Sequence, residues 1–177
     1  KLYYRIYNMI YPEYNNQEFK EIIAKKKEFK DYKFSPVKAL TEQEVEEYSN
    51  KLCNATFELS THQNFVKNFL SFQTPYNSLL LFHGLGTGKT CSAITIAEEM
   101  RQYNKQINNK SKILVIGSPN IQDNFKMQLF NENKLKQSNT GWSITGCTGN
   151  SLVEEANPTK IKIKKELLVK QINKIIQ

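Results

Sequence analysis

The segment Phe82-His83-Gly84-Leu85-Gly86-Thr87-Gly88-Lys89-Thr90 constrains this chain more than any other. Its alternating glycines carry no Cβ, so several backbone N–H groups can turn into one concavity, which is what a polyphosphate needs. The apolar run 79–82 before it reads as a short buried parallel strand. After it, Ala93, Ile96, Ala97 and Met100 fall at i, i+3, i+4 and i+7 and predict a helix starting near Lys89. A strand–loop–helix of this kind holds an anion at the positive end of the helix. Lys89 is placed to reach the β- and γ-phosphates as a point charge, and the Thr90 hydroxyl to ligate Mg²⁺. The segment therefore reads as a P-loop. Gly84, Leu85, Gly86, Thr87, Gly88, Lys89 and Thr90 are its candidate nucleotide-binding residues, and Lys89 and Thr90 its candidate catalytic pair. The first motif position falls on His83 rather than glycine, whereas Gly88-Lys89-Thr90 fit. An incidental glycine-rich turn is the bland reading; the strand and helix on either side argue against it. Cys91, just inside the helix, reads as a packing residue.

Two capping boxes mark helix starts upstream. In Thr41-Glu42-Gln43-Glu44 the Thr oxygen can accept from the N3 amide while Glu44 reaches back, and Val45, Tyr48 and Leu52 follow on one face. Ser60-Thr61-His62-Gln63 opens a second helix, with Phe65, Val66, Phe69 and Leu70, which Thr74-Pro75-Tyr76-Asn77 breaks. Residues 1–40 are rich in Tyr and Lys. Ile10, Phe19, Ile22, Ile23 and Phe29 recur there at a loose helical spacing, and the stretch reads as an extension that packs on something else. Downstream, residues 113–116 read as a second buried strand. Residues 121–131 read as a helix with Ile121, Phe125 and Leu129 on one stripe, and residues 142–145 as a third strand. Residues 164–177 read as a helix carrying Leu168, Ile172 and Ile175. The alternation β-α-β-α-β predicts an α/β fold, a parallel sheet flanked by helices.

Charge is unevenly placed. Lys+Arg against Asp+Glu is 9 against 9 over residues 1–50, 3 against 3 over 51–100 and 13 against 5 over 101–177. The whole excess of +8 thus follows the P-loop. A basic surface favours phosphate backbones; the alternative is a solvated face in a Lys- and Asn-rich chain. Cys53, Cys91 and Cys147 are odd in number and far apart, neither a disulfide framework nor a zinc pattern, and suit a reducing compartment. With His62 and His83 the only histidines, a His-based metal site is not expected. No apolar run approaches the about 20 residues that span a bilayer. The start, Lys1-Leu2-Tyr3-Tyr4-Arg5, has no Met and no signal-peptide core, and reads as a cut from a longer chain.

Residues 80–94 resemble motif I of superfamily 2 helicases. More narrowly, they look like the helicase-like ATPases of large nucleocytoplasmic DNA viruses, which include the poxvirus nucleoside triphosphate phosphohydrolase I and the small subunit of the poxvirus early transcription factor. In that superfamily glycine is not required at the first motif position. Leu59 to Val66 resemble the upstream glutamine motif, which implies that Gln63 reads the adenine edge; its amide has the donor and acceptor for this. The alternative is that Gln63 only closes the capping box. Residues 118–125 are similar to motif Ia, implying nucleic-acid backbone contacts from Pro119, Asn120 and Lys126 at and beyond a helix N-terminus. Residues 145–151 sit where the family has a further backbone-contacting loop.

The expectation is a partial RecA-like P-loop domain over residues 57–177, preceded by a helical N-terminal extension over 1–56. The resemblance implies ATP and Mg²⁺ as cofactors, DNA or RNA and viral transcription machinery as partners, and the host cytoplasm or virion as location. The function implied is the ATP-binding portion of a nucleic-acid-dependent ATPase, a helicase or a double-strand translocase. A non-catalytic nucleotide-binding or assembly module is the rival. The acidic pair Glu154-Glu155 follows too short an apolar run to serve as the family's Mg²⁺-holding motif, and no arginine follows Arg101.

Overall fold

The computed structural model describes residues 10–32, 41–55, 57–82 and 84–177. The chain divides into two compact units, Lys1–His83 and Gly84–Gln177.

The first unit carries helices α1 (Phe19–Lys25), α2 (Lys27–Lys30), α3 (Glu42–Asn54) and α4 (Thr61–Phe69). The described part of the aromatic extension has its packing partner within this unit. Ile23 and Phe29 are buried with Phe69 of α4 and with Tyr76, and Tyr11, Phe19, Tyr32, Phe65 and Leu70 pack around them. Phe69 and Tyr76 stack with ring centroids 4.4 Å apart, and Phe19 meets Tyr76 edge-on at 5.6 Å. Ring burial and quadrupole geometry hold this cluster together. Its polar tips are satisfied: the Tyr76 hydroxyl donates to the Pro12 carbonyl at 2.8 Å, Tyr11 donates to Glu28, and Lys26 lies over the Tyr11 ring and donates to the Ile10 carbonyl. Tyr3, Tyr4 and Tyr7 lie outside the described residues.

Burial, with the neighbouring Tyr14 hydroxyl, pushes the Tyr76 phenol up to about 12. A raised pKa favours the neutral phenol in the folded state, so this contribution is intact below the ordinary tyrosine value near 10 and is lost as pH rises toward 12. Tyr76→Phe should destabilise the unit by about 1 kcal/mol through loss of the Pro12 bond and should flatten stability between about pH 10 and 12. Chemical denaturation at neutral and alkaline pH measures both; an unchanged alkaline slope in the variant would contradict the assignment.

Both capping boxes form. The Thr41 amide and hydroxyl donate to Glu44 Oε2 at 2.8 and 2.9 Å, and the Ser60 amide donates to Gln63 Oε1 at 2.9 Å. The bonds from Thr41, backbone first, hold the Glu44 carboxyl below its usual range. Val45 and Tyr48 on α3 are more than half exposed, so the predicted apolar face is bare there; the Leu52 side chain lies outside the described residues.

The second unit carries α5 (Lys89–Gln106), α6 (Pro119–Leu129), a 3₁₀ turn (Glu132–Lys134), strands β1 (Leu135–Ser138) and β2 (Gly141–Ile144), α7 (Ser151–Ala156) and α8 (Lys165–Ile176). Its core joins Leu135 and Ile144 of the hairpin to Leu152 and Val153 of α7 and Leu168 and Ile172 of α8. Trp142 packs on the rim, its indole N–H donating to the Ile163 carbonyl at 2.8 Å. α8 buries Leu168 and Ile172 of the predicted stripe, with Ile175 half-buried, and α6 starts at Pro119 after Ser118, two residues ahead of the expected start at Ile121.

The parallel sheet expected from the sequence is not what the described residues form. Their one ladder is the antiparallel β1–β2 pair, register Leu135↔Ile144 to Ser138↔Gly141. β2 covers the predicted third strand, but it pairs locally across the Asn139-Thr140 turn, and β1 was not anticipated. The predicted strands 79–82 and 113–116 are coil. Leu80, Phe82, Leu114 and Ile116 are 82–92% exposed, while Leu79 and Ile113 are only 40–41% exposed. Val115 is 54% exposed, so both runs are largely bare, more so at Leu80, Phe82, Leu114 and Ile116 than at Leu79, Ile113 and Val115. A central parallel strand needs a ladder on each edge and cover on both faces, and no described segment supplies them.

Two helical faces also differ from expectation. On α5 the buried residues are Cys91, Ser92, Ile94 and Thr95, while Ala93 is exposed and Ile96, Ala97 and Met100 are half-buried. The face is decided by what lies against it: the Cys91–Cys147 pairing and the Thr95 bond to the Cys147 carbonyl draw that side inward. α6 buries no residue fully; Ile121 is 55% exposed and Phe125 and Leu129 are half-buried.

Candidate phosphate-binding site

Residues 84–90 curl back on themselves. Gly86 and Gly88 adopt φ of +78° and +82°, a region that residues with a Cβ enter only at a cost, so two of the alternating glycines are needed for conformation. A Cβ on Gly86 would meet nothing within 4 Å, so at that position the backbone angle, and not crowding, is the constraint. Gly88 is the N-cap of α5, and Lys89 and Thr90 are its first two residues. The Lys89 ammonium donates to the Gly84 carbonyl at 2.8 Å, and the Thr87 hydroxyl donates to the same oxygen at 2.9 Å. The loop is thus closed by its own lysine across its mouth. Leu85 at its tip is fully exposed, and Lys89 and Thr90 are half-buried. The loop lies at the N-terminus of an 18-residue helix, the end that favours an anion. His83 lies outside the described residues.

Gln63 belongs to the first unit. It is buried, and its carbonyl oxygen closes the capping box of α4. At the start of α6, Asn120 is exposed and Gln122 donates back to the Gly117 carbonyl at 3.1 Å. Lys126 is exposed and lies 3.9 Å from the Asp123 carboxylate.

Glu155 is engaged elsewhere. Arg101 Nη1 donates to it at 2.7 Å and Lys105 lies 3.2 Å away, while Arg101 also forks onto Glu98 at 2.8 and 2.9 Å. Burial raises the Glu98 carboxyl, but the bonds from Arg101, Gln102 and Ser151 outweigh it and hold Glu98 below its usual range; Arg101 is held above its own, first by its bonds to Glu98. This network sits at a cleft of about 390 Å³ whose lining includes Ile94, Ile113, Val115 and Phe125. Among the described residues no three His, Cys, Asp or Glu side chains cluster as metal ligands.

Sequence reasoning missed the link between Cys91 and Cys147. The two sulfurs are paired, with Cα atoms 5.3 Å apart, contrary to the expectation of unpaired thiols. A separation of 56 residues carries no signal of this contact; it arises because the 145–150 loop lies on the first turns of α5.

Comparison with known proteins adds the lineage. Over 117 residues the chain is 34% identical to a candidate ATP-dependent RNA helicase of Acanthamoeba polyphaga mimivirus, a stretch that is 66% of this chain and 10% of that protein. The chain is a homologue of the helicase-like proteins of large DNA viruses. A candidate helicase of frog virus 3 is 54% identical over 41 residues, 23% of this chain and 4% of that one. An early transcription factor large subunit homolog of African swine fever virus is 44% identical over 61 residues, 34% of this chain and 6% of its own. The chain therefore spans about a tenth or less of these relatives. No protein-family model matches it, and no solved structure matches it. Among the described residues no helix is long and apolar enough to cross a membrane.

Proposed function

We propose that this chain is the ATP-binding front part of a nucleic-acid-dependent motor of a large DNA virus, a helicase or a double-strand translocase serving transcription. The observation that carries the reading is the closed glycine loop at the start of α5, with Lys89 bridging to the Gly84 carbonyl. A nucleoside triphosphate would exchange the Lys89 bond to Gly84 for contacts to its β- and γ-phosphates, while the helix amides take the remaining charge. Thr90 would hold Mg²⁺ against the same phosphates, and Gln63 would read the base. In the whole protein, runs 79–82 and 113–116 would become strands of a RecA-like parallel sheet once neighbouring strands cover them; the apolar side chains they leave exposed support this. Hydrolysis then requires an acidic pair from another segment, since Arg101 and Lys105 hold Glu155. Pro119, Asn120 and Lys126 would face the nucleic-acid backbone. The place of action would be the host cytoplasm or the virion.

ATP turnover by the full-length protein, measured with and without DNA and RNA, tests the proposal. Stimulation of at least about tenfold by nucleic acid is expected, and strand-displacement assays then separate helicase from translocase. Nucleotide binding with no turnover under any of these conditions would instead favour a non-catalytic assembly module.

A further inference from the structure

We propose that Cys91 and Cys147 form a reversible disulfide that ties the P-loop helix to the 145–150 loop, so that thiol–disulfide exchange sets how firmly the nucleotide-binding loop is held. The second half of this statement rests on the nucleotide-binding reading above; the first does not.

Cys91 directly follows Thr90 and is buried in the first turn of α5, whereas Cys147 lies half-buried in the facing loop. Other contacts hold that loop in place besides the sulfur link. The Thr95 hydroxyl, one turn along α5, donates to the Cys91 carbonyl at 2.8 Å and to the Cys147 carbonyl at 3.2 Å. The Ile144 amide donates to Asn150 Oδ1 at 2.8 Å, and the Ser151 hydroxyl to the Thr148 carbonyl at 2.9 Å. Thr148, itself buried, donates to the Leu129 carbonyl at 3.4 Å. A loop seated by these bonds keeps the two thiols adjacent after reduction, which is what lets such a bond close again readily. The more exposed sulfur, Cys147, is the natural point of attack. Its thiolate displaces one thiolate from a small-molecule disulfide, and the Cys91 thiolate then displaces the second from the mixed disulfide. Two protein thiols and one small disulfide become one protein disulfide and two small thiols, the protein giving up two electrons. Cys53, exposed on α3 in the other unit, takes no part.

The test uses the full-length protein equilibrated with oxidised glutathione or with dithiothreitol. Peptide mapping without reduction should show Cys91 linked to Cys147 in the first state and both free in the second. Hydrogen exchange over residues 89–96 and 145–150 should accelerate about tenfold on reduction, because a bond closing so long a loop restrains local opening. Cys147→Ser should exchange at the reduced rate in both conditions. ADP release should be several-fold slower from the oxidised form. A map lacking the link, or one joining either cysteine to Cys53, overturns the proposal. A link that leaves both exchange and ADP release unchanged overturns its regulatory half. Failure of both redox states to bind nucleotide, with the link and the exchange difference present, would instead overturn the P-loop reading and leave the disulfide standing.

Discussion

Lys89→Ala should weaken ATP binding by at least about a hundredfold. The ammonium stands over the mouth of the loop, 2.8 Å from the Gly84 carbonyl, and it is the one side-chain cation within residues 84–90. Each charge-assisted bond it would make to phosphate contributes about 1.5–3 kcal/mol, and two of them correspond to roughly two to four orders of magnitude in affinity. The cost to folding should be smaller, about 1 kcal/mol, because the contact to the Gly84 carbonyl is exposed and Thr87 also serves that carbonyl. Titration of the full-length variant with ATP, beside a thermal melt showing that it is folded, separates the two effects. An affinity equal to that of the parent would remove the basis of the proposed function. Lys89→Arg should recover only part of the binding, since a planar fork replaces a compact charge in a loop closed around an ammonium.

Arg101→Ala should destabilise the second unit by about 2 kcal/mol at neutral pH. Arg101 joins α5 to α7 by forking onto Glu98 and reaching Glu155, and both carboxylates have side chains less than a fifth exposed. Removing the guanidinium leaves Glu98 with Gln102 and Ser151, and Glu155 with Lys105. A fully buried pair broken in this way costs about 3–5 kcal/mol, and the partial exposure of Arg101 lowers the figure. The pH dependence has a definite sign. In the parent, Glu98 is held below the ordinary glutamate value of 4.5, so its contribution is complete above that value and falls away as pH drops through the lowered one. In the variant, burial acts on Glu98 with less to oppose it, and its carboxyl rises. The stability gap should therefore be widest near pH 7 and should close toward acid, where the Glu98 carboxyl is neutral. Urea unfolding from pH 3 to 7 measures this. A gap that is constant with pH would mean that Arg101 acts through packing and not through charge.

The local features were legible because each is closed by residues a few positions apart. Thr41 with Glu44 and Ser60 with Gln63 form capping boxes, and the glycines at 86 and 88 take a positive φ that residues with a Cβ avoid. Leu168 and Ile172 reach the core from a helical stripe readable without any neighbour. The charge excess after the P-loop and the resemblance to viral helicases were likewise present in the order of residues.

What periodicity misassigned depends on partners. A run such as 113–116 has the composition of a central strand, yet strand pairing is a property of two segments, and here the ladder forms instead between residues 135–138 and 141–144, which a short turn brings together. The buried side of α5 was read one face away from where it lies because that helix has little amphipathic contrast, and Thr95 and Cys91, facing the 145–150 loop, settle its orientation. The amino-acid sequence by itself determined the glycine loop with its positive φ angles and the capped helix starts, since these are written in short-range chemistry. Only the tertiary structure decided that Cys91 meets Cys147, that Arg101 occupies Glu155, and that the apolar runs remain half-bare. Each of those outcomes turns on a contact between distant residues, and no local pattern encodes such a distance.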